Sequence, residues 1–296
     1  MELLVVSDDY VRRKLRFCGE LTRLKYRRVV VQFGRFLGRV PVVADLQVET
    51  VLDFLAAISD GRSPHTVNEA RAKLVALWNY SAKQKLTDVW PDVEKMPVPR
   101  RLPIAWAAAD FRKLLDAAGA MPGHVGDAAA GDWWRALLLL GWATGERKAA
   151  LLGFRWDDYD AESGRLLCRA ETRKACDRDR LYQVPVWCRV GLAKLPRSGP
   201  VILAWPFSFH TYFLHWNKLL KSAGLPADRY HKTHALRRSH ASHLAAAGVD
   251  ASKALGHSSP LVTYEHYIDP HVVGAISHAE KLPDPTMDQA SISTTT

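Results

Sequence analysis

Apolar positions in the first third of the chain recur at helical spacing. Tyr26, Val29, Val30, Phe33, Phe36 and Leu37 fall on one helical side, with Arg23, Arg27, Arg28 and Arg35 in the gaps. A second stripe runs through Val67, Ala70, Leu74, Leu77 and Trp78. It follows Ser63-Pro64, which reads as a serine N-cap with proline at the first helical position. Residues 16–92 therefore read as an all-helical unit, preceded by an extension over 1–15. Pro91, Pro97, Pro99 and Pro103 then crowd one short stretch. Proline breaks helices and central strands alike. A semi-extended linker is expected over 93–103, made basic by Arg100 and Arg101.

Past the linker the pattern changes. Residues 110–118 predict a short helix, and 119–131 a loop of small residues. Asp132 reads as the cap of an apolar helix over 133–143. Two runs, 165–170 and 181–187, have strand character. The polar stretch between them makes a hairpin with a basic tip. Residues 210–223 form an amphipathic pattern with Tyr212, Phe213, Trp216, Leu219 and Leu220 on one side. Another helix is expected over 233–247, stopped by Gly248, and a further one opens at Ser259-Pro260 and reaches Tyr267. The tail over 284–296 is polar and expected to be disordered. The fold class is mainly α with a small β-hairpin or sheet, its second domain covering 104–283.

Composition narrows the function classes. Of 296 residues 48% are hydrophobic and 24% charged, as in ordinary globular proteins. The longest apolar run, 136–143, is far short of the roughly 18 residues that span a bilayer. The N-terminus lacks a basic n-region and a cleavage site, so a cytoplasmic protein without membrane attachment is expected. The four cysteines, Cys18, Cys168, Cys176 and Cys188, contain no C-x-x-C pair and read as reduced thiols. Net charge is +10. Residues 1–100 hold 17 basic and 12 acidic groups, leaving 24 and 19 for the rest, so each part carries +5. Positive charge on both parts suits a polyanion gripped from two sides.

Candidate chemistry gathers at the junctions of the second domain. Thr144-Gly-Glu-Arg147 follows the apolar helix directly, and Trp156-Asp-Asp158 comes soon after. The hairpin tip holds Arg173, Lys174 and Arg178. In His234-Ala-Leu-Arg237 the histidine and second arginine are three apart and share a helical face. Leu255-Gly-His-Ser-Ser259 then precedes Tyr267, ten residues past His257. His240 and His243 raise the question of zinc, but no cysteine or carboxylate stands at ligand spacing, and no metal or cofactor is expected.

In this order the motifs resemble the tyrosine recombinase (phage integrase) family, over most of 104–270, and the helical 16–92 segment resembles its core DNA-binding domain. The resemblance implies a two-domain C-shaped clamp on double-stranded DNA. It implies site-specific recombination through a 3′-phosphotyrosyl intermediate, without metal or ATP. Tyr267 corresponds to the nucleophile, Arg147 and Arg237 to the phosphate-clamping arginines, and His234 and His257 to phosphate-holding groups that assist proton transfer. Lys174 corresponds to the lysine that protonates the 5′-oxygen. Arg23, Arg27, Arg28, Arg100, Arg101 and Arg173 are further candidates for DNA contact. A homotetramer on DNA is implied, with a monomer or weak oligomer when free, and with a last helix over 271–282 that docks on a neighbour or packs on its own subunit.

The chemistry suits these residue types. Arginine forks bind the non-bridging oxygens of a phosphodiester and gain as those oxygens take on charge at the transition state. A tyrosine with a pKa near 10 needs such help to act as a nucleophile. Two departures stand out. The family often has glutamate three residues after its first arginine, where this chain has Ala150. The segment between Gly248 and Gly256 is about three residues shorter than usual, which would shift His257. Tyr264 is a second tyrosine on the same helix, less well spaced from His257. These features leave room for a type IB topoisomerase-like relaxase, or for a DNA-binding protein of the same fold that has lost cleavage.

Overall fold

The computed structural model describes residues 1–173, 178–257 and 259–274. The chain divides into two compact units, Met1–Arg100 and Arg101–Thr296.

The first unit is helical. Helices α1 (Leu3–Lys14), α2 (Glu20–Leu37), α3 (Val48–Ala57) and α4 (Pro64–Lys83) enclose one core. Leu3, Val6, Val30, Phe33, Phe54, Leu74, Leu77 and Trp78 are buried in it. Ser63 caps α4, its Oγ accepting from the Thr66 amide at 3.3 Å, and Pro64 opens the helix as the sequence predicts. Residues 1–15 are not a free extension. Leu3 and Val6 of α1 enter the core, and the Leu3 amide donates to Pro41 O at 2.8 Å. Asp9 accepts from the Tyr80 hydroxyl at 2.5 Å and from Arg12 and Arg13. These donors, Tyr80 foremost, hold its carboxyl well below the usual carboxylate range. The proline-rich stretch also begins differently from expectation. Arg71 Nε donates to Val93 O at 2.7 Å, and Asn68 makes a two-way amide pairing with Met96. Backbone that proline excludes from helix finds side-chain partners on α4 instead.

The second unit surrounds α6 (Ala130–Thr144). This helix is apolar on nearly every side and packs against α5 (Ala108–Gly119), α8 (Val186–Leu192) and α10 (His234–Ala246). Trp133 and Trp134 of α6 join Trp205, Tyr212 and Trp216 in an aromatic cluster, the last two from α9 (Phe209–Ser222). The expected loop over 119–131 includes a two-residue ladder, β1 (His124–Val125) with β2 (Ala128–Ala129). Asp132 lies inside the first turn of α6 and is not its cap. Strands β3 (Tyr159–Asp160), β4 (Arg165–Cys168) and β5 (Arg180–Gln183) form an antiparallel sheet in that order, Leu166 opposite Tyr182. The second strand stops earlier than its pattern suggests. After Pro185 the buried positions are Cys188 and Leu192, four apart, and the segment is α8. Burial pushes the Cys168 thiol up to about 11 and that of Cys188 to about 12, so neither is a reactive thiolate.

Short helices α7 (Lys148–Leu151), α11 (Ala251–Leu255), α12 (Pro260–Tyr267) and α13 (Pro270–Val273) complete the second unit. The helix suggested over 271–282 is described only through α13 and Gly274; its remainder, and the tail over 284–296, lie outside the described residues. No described helix is long and apolar enough to cross a membrane.

Candidate active site

The site starts where α6 ends. Gly145 closes that helix at φ +61°, in the left-handed region that favours glycine. A Cβ at this position would meet His240 Cδ2 at 2.5 Å. The turn therefore needs glycine for two reasons, and it directs Glu146 into the protein and Arg147 to the N-cap of α7. Beside it, Lys148 Nζ lies 3.8 Å from the Phe209 ring centroid and 4.5 Å from that of Phe213. This cation–π contact fastens α7 to α9.

Arg237, near the start of α10, is only 1% exposed. Its Nη1 donates to Gly145 O at 2.8 Å, and its Nη2 to Leu255 O at 2.9 Å and His257 Nε2 at 3.0 Å. Nε is buried without a partner among the described residues. A buried orphan donor costs roughly 1–3 kcal/mol, which an incoming acceptor would recover. Arginine always donates, so His257 Nε2 accepts and the imidazole proton is on Nδ1, pointing to Thr263 Oγ1 at 2.7 Å.

The short segment before His257 still delivers it to the site. Asp250 caps α11 by accepting from the Ser252 and Lys253 amides, and Gly256 ends it at φ +67°. Arg180 of β5 donates to Ala254 O at 2.6 Å and Lys253 O at 2.7 Å, satisfying carbonyls the helix end leaves open. The expected shift of His257 is thus absorbed by a tightly capped five-residue helix.

Tyr267 ends α12 with its ring 4.7 Å from that of His257 and 5.3 Å from that of His234. The Arg237 guanidinium carbon is 5.4 Å from the same ring centroid. Tyr267 is 7% exposed, whereas Tyr264 is 66% exposed and faces away. The backbone around Tyr267 is stitched down. Ser242 Oγ donates to Tyr267 O at 3.0 Å and accepts from the Asp269 amide at 2.9 Å. Asp269 in turn accepts from the Ala105 amide at 2.7 Å. His240 and His243 bond the carbonyls of Trp142 and Trp106, which accounts for both without a metal role. Among the described residues no three His, Cys, Asp or Glu groups form a metal-binding cluster.

Electrostatics follow from the crowding of cations. Surrounding protein atoms lower the pKa of His234 to about 4, and Arg238, Arg237 and Arg147 add to the effect. Burial, then Arg237 and Arg147, does the same for His257, also to about 4. Both imidazoles are neutral at pH 7. The Arg147 guanidinium forms no ion pair with a carboxylate among the described residues.

The structure brings together Arg147, His234, Arg237, His257 and Tyr267. Lys174 lies outside the described residues. Arg23, Arg27 and Arg28 are exposed on α2, and Arg100 and Arg101 are exposed in the proline-rich stretch. Arg173 is different: its side chain is 6% exposed and its Nε donates to Glu146 at 2.8 Å. It is an interior ion-pair partner of Glu146. Glu146, Tyr182, Ser242, Thr263 and Asp269 are the site residues that sequence reasoning missed. Only Glu146, inside Thr144-Gly-Glu-Arg147, had a visible signal: an acid next to a catalytic candidate.

A mainly helical unit with this cluster of cations around one tyrosine defines a strand-cleaving class. The chain belongs to the phage integrase family, whose sequence pattern matches residues 108–272. It is a tyrosine recombinase, an enzyme that breaks and rejoins DNA strands in site-specific recombination. The tyrosine recombinase XerD of Mycobacterium leprae (strain TN) is 26% identical over 277 residues, covering 82% of this chain and 84% of that protein. The structure of the XerH site-specific recombinase, in a post-cleavage complex with its palindromic difH substrate, shares the fold with a TM-score of 0.69. Identity there is 19%, over 92% of this chain and 84% of XerH. A lambda integrase tetramer bound to a Holliday junction shares it with a TM-score of 0.67 at 20% identity, over 88% of this chain and 75% of the integrase. The relaxase-like and non-cleaving alternatives are not favoured by these matches.

Proposed function

We propose that Tyr267 is the nucleophile of this recombinase and that it acts beside Arg147, His234, Arg237 and His257 of its own chain. The observation carrying this reading is the approach of the Tyr267 ring to both histidines and to the buried Arg237. Tyr267 Oη attacks the scissile phosphorus and the bond to the 5′-oxygen breaks. The phenolic proton passes to a neutral imidazole, and Lys174 supplies a proton to the leaving 5′-oxygen. Arg147 and Arg237 hold the non-bridging oxygens, the latter with its unpartnered Nε. Reversal with a 5′-hydroxyl from another duplex rejoins the strands. The phosphotyrosyl bond conserves the energy, so no ATP is consumed.

Double-stranded DNA is the partner, with Arg23, Arg27, Arg28, Arg100 and Arg101 as exposed contacts. Residues 16–92 serve as the core-binding domain, 93–103 as the linker and 104–283 as the catalytic domain. The lambda integrase tetramer on its junction supports a homotetramer on DNA. A DNA substrate and the lack of a described membrane-spanning helix support action in the cytoplasm.

A covalent trap tests the reading. Purified protein is incubated with nicked duplexes from DNA flanking its gene, and adducts are read on a denaturing gel. An adduct is expected for the wild type and Tyr264→Phe, and none for Tyr267→Phe. Loss of the adduct only in Tyr264→Phe would move the nucleophile. A clear gel shift with no adduct would return the non-cleaving reading.

A further inference from the structure

We infer that Glu146 is a positioning residue of strand cleavage, a buried carboxylate that keeps Arg237 in its phosphate-binding pose against the base of the hairpin. The inference rests on the role of Arg237 proposed above. Glu146 is 2% exposed. Its Oε1 accepts from Arg173 Nε at 2.8 Å and from the Tyr182 hydroxyl at 2.6 Å. Its Oε2 accepts from the Arg147 amide at 3.3 Å and lies 3.8 Å from Arg237 Nη1. One side chain thus touches the hairpin base, β5, the first residue of α7's cap and the clamp arginine.

A carboxylate has no place on the phosphate itself, because it repels the oxygens that the arginines bind. It acts through its neighbours. Burial, and then the nearby Arg147 charge, disfavour the charge on Arg237, and Glu146 counters that effect. Removing one member of a buried charged group leaves the remaining charges uncompensated, and they shift. Three residues after Arg147 stands the buried Ala150, which offers no carboxylate. Among the described residues Glu146 is the carboxylate within 4 Å of Arg237. The chain therefore carries its orienting acid on the other side of the arginine. Tyr182 and Arg173 complete the device by fixing Oε1, which leaves Oε2 turned to Arg237 without the carboxylate moving toward it.

The test uses the full chain and the nicked duplex on which the wild type forms its adduct. Single-turnover cleavage is compared on that duplex and on one with a methylphosphonate at the scissile position. The methylphosphonate lacks a charged non-bridging oxygen and so draws less on Arg237. Glu146→Gln keeps the size and an acceptor oxygen but removes the charge. It is expected to slow cleavage of the ordinary phosphate by roughly 10–100-fold, and of the methylphosphonate by less than about 3-fold, with gel-shift affinity held within about 3-fold. Equal slowing on both substrates would assign Glu146 to general packing and overturn the inference. No slowing on either would overturn it too. Glu146→Asp, which keeps the charge but withdraws it by one methylene, is read by the same comparison if the glutamine variant does not fold. Wild-type adduct formation is the separate control on the role of Tyr267.

Discussion

Arg237 is gripped by two carbonyls, Gly145 O and Leu255 O, that come from the ends of different helices. Its forked geometry matters more than its charge, because a lysine cannot reach both carbonyls and still present a donor to a phosphate. Arg237→Lys should therefore lower single-turnover cleavage by about 10²–10³-fold, measured on the trapping duplex, with a much smaller loss of DNA binding. The histidines make a pH prediction. An unfolded histidine titrates near 6.5, and in the fold His234 and His257 titrate near 4. Between these values the unfolded chain binds more protons, so stability rises with pH. Their contribution is complete above about pH 6.5 and is lost as pH falls from there toward 4. Urea midpoints at pH 7 and pH 5 should show this decline, and His257→Gln should make it shallower.

At the scale of elements, α12 is aimed by its neighbours. Its N-cap Ser259 makes no capping bond, and its C-terminal end is held by Ser242 and Asp269. Ser242→Ala leaves the Tyr267 carbonyl and the Asp269 amide without their shared partner in a buried place. The expected cost is about 1–3 kcal/mol by urea unfolding, with slower adduct formation because the nucleophile's helix end is loosened. α6 carries the core, and Trp134, which is fully buried, touches four other aromatic side chains, Trp133, Trp205, Tyr212 and Trp216. Trp134→Ala should cost about 3–5 kcal/mol and lower the melting temperature accordingly. The short α11 depends on its cap: Asp250→Ala should cost about 1 kcal/mol and disturb His257 more than Arg147, because only the former follows that helix.

For the whole molecule, charge and catalysis meet in the duplex. Residues 1–100 and 101–296 each carry a net +5, so the positive charge is distributed along the chain. Binding to a non-specific duplex should weaken steeply between about 50 and 200 mM salt, as counterion release requires. Sedimentation with DNA carrying its recombination site should give a species with four protein copies, and strand exchange should follow. Relaxation of supercoiled plasmid without any such site would point instead to the relaxase chemistry.

Hydrophobic periodicity and capping residues were enough to read α2, α4, α9, α10 and α12, and the order of short motifs, through its resemblance to the family, gave the five residues that meet at the site. Those signals are local: a stripe three or four residues apart, a glycine at a helix end, a histidine ten residues before a tyrosine. The sequence by itself could not distinguish the buried Arg173 from surface arginines, because a guanidinium on a hairpin looks the same in either setting. Nor could it show that the first 15 residues join the core, since α1 gains its burial only by packing against α2 and the more distant α4. Glu146 gained its role only from the fold. Arg173, Tyr182 and Arg237 are 27, 36 and 91 residues away from it along the chain, and their convergence on one carboxylate is a matter of packing. Local propensity determined which elements form and which chemistry they carry; long-range burial decided which charges face the substrate and which hold the others in place.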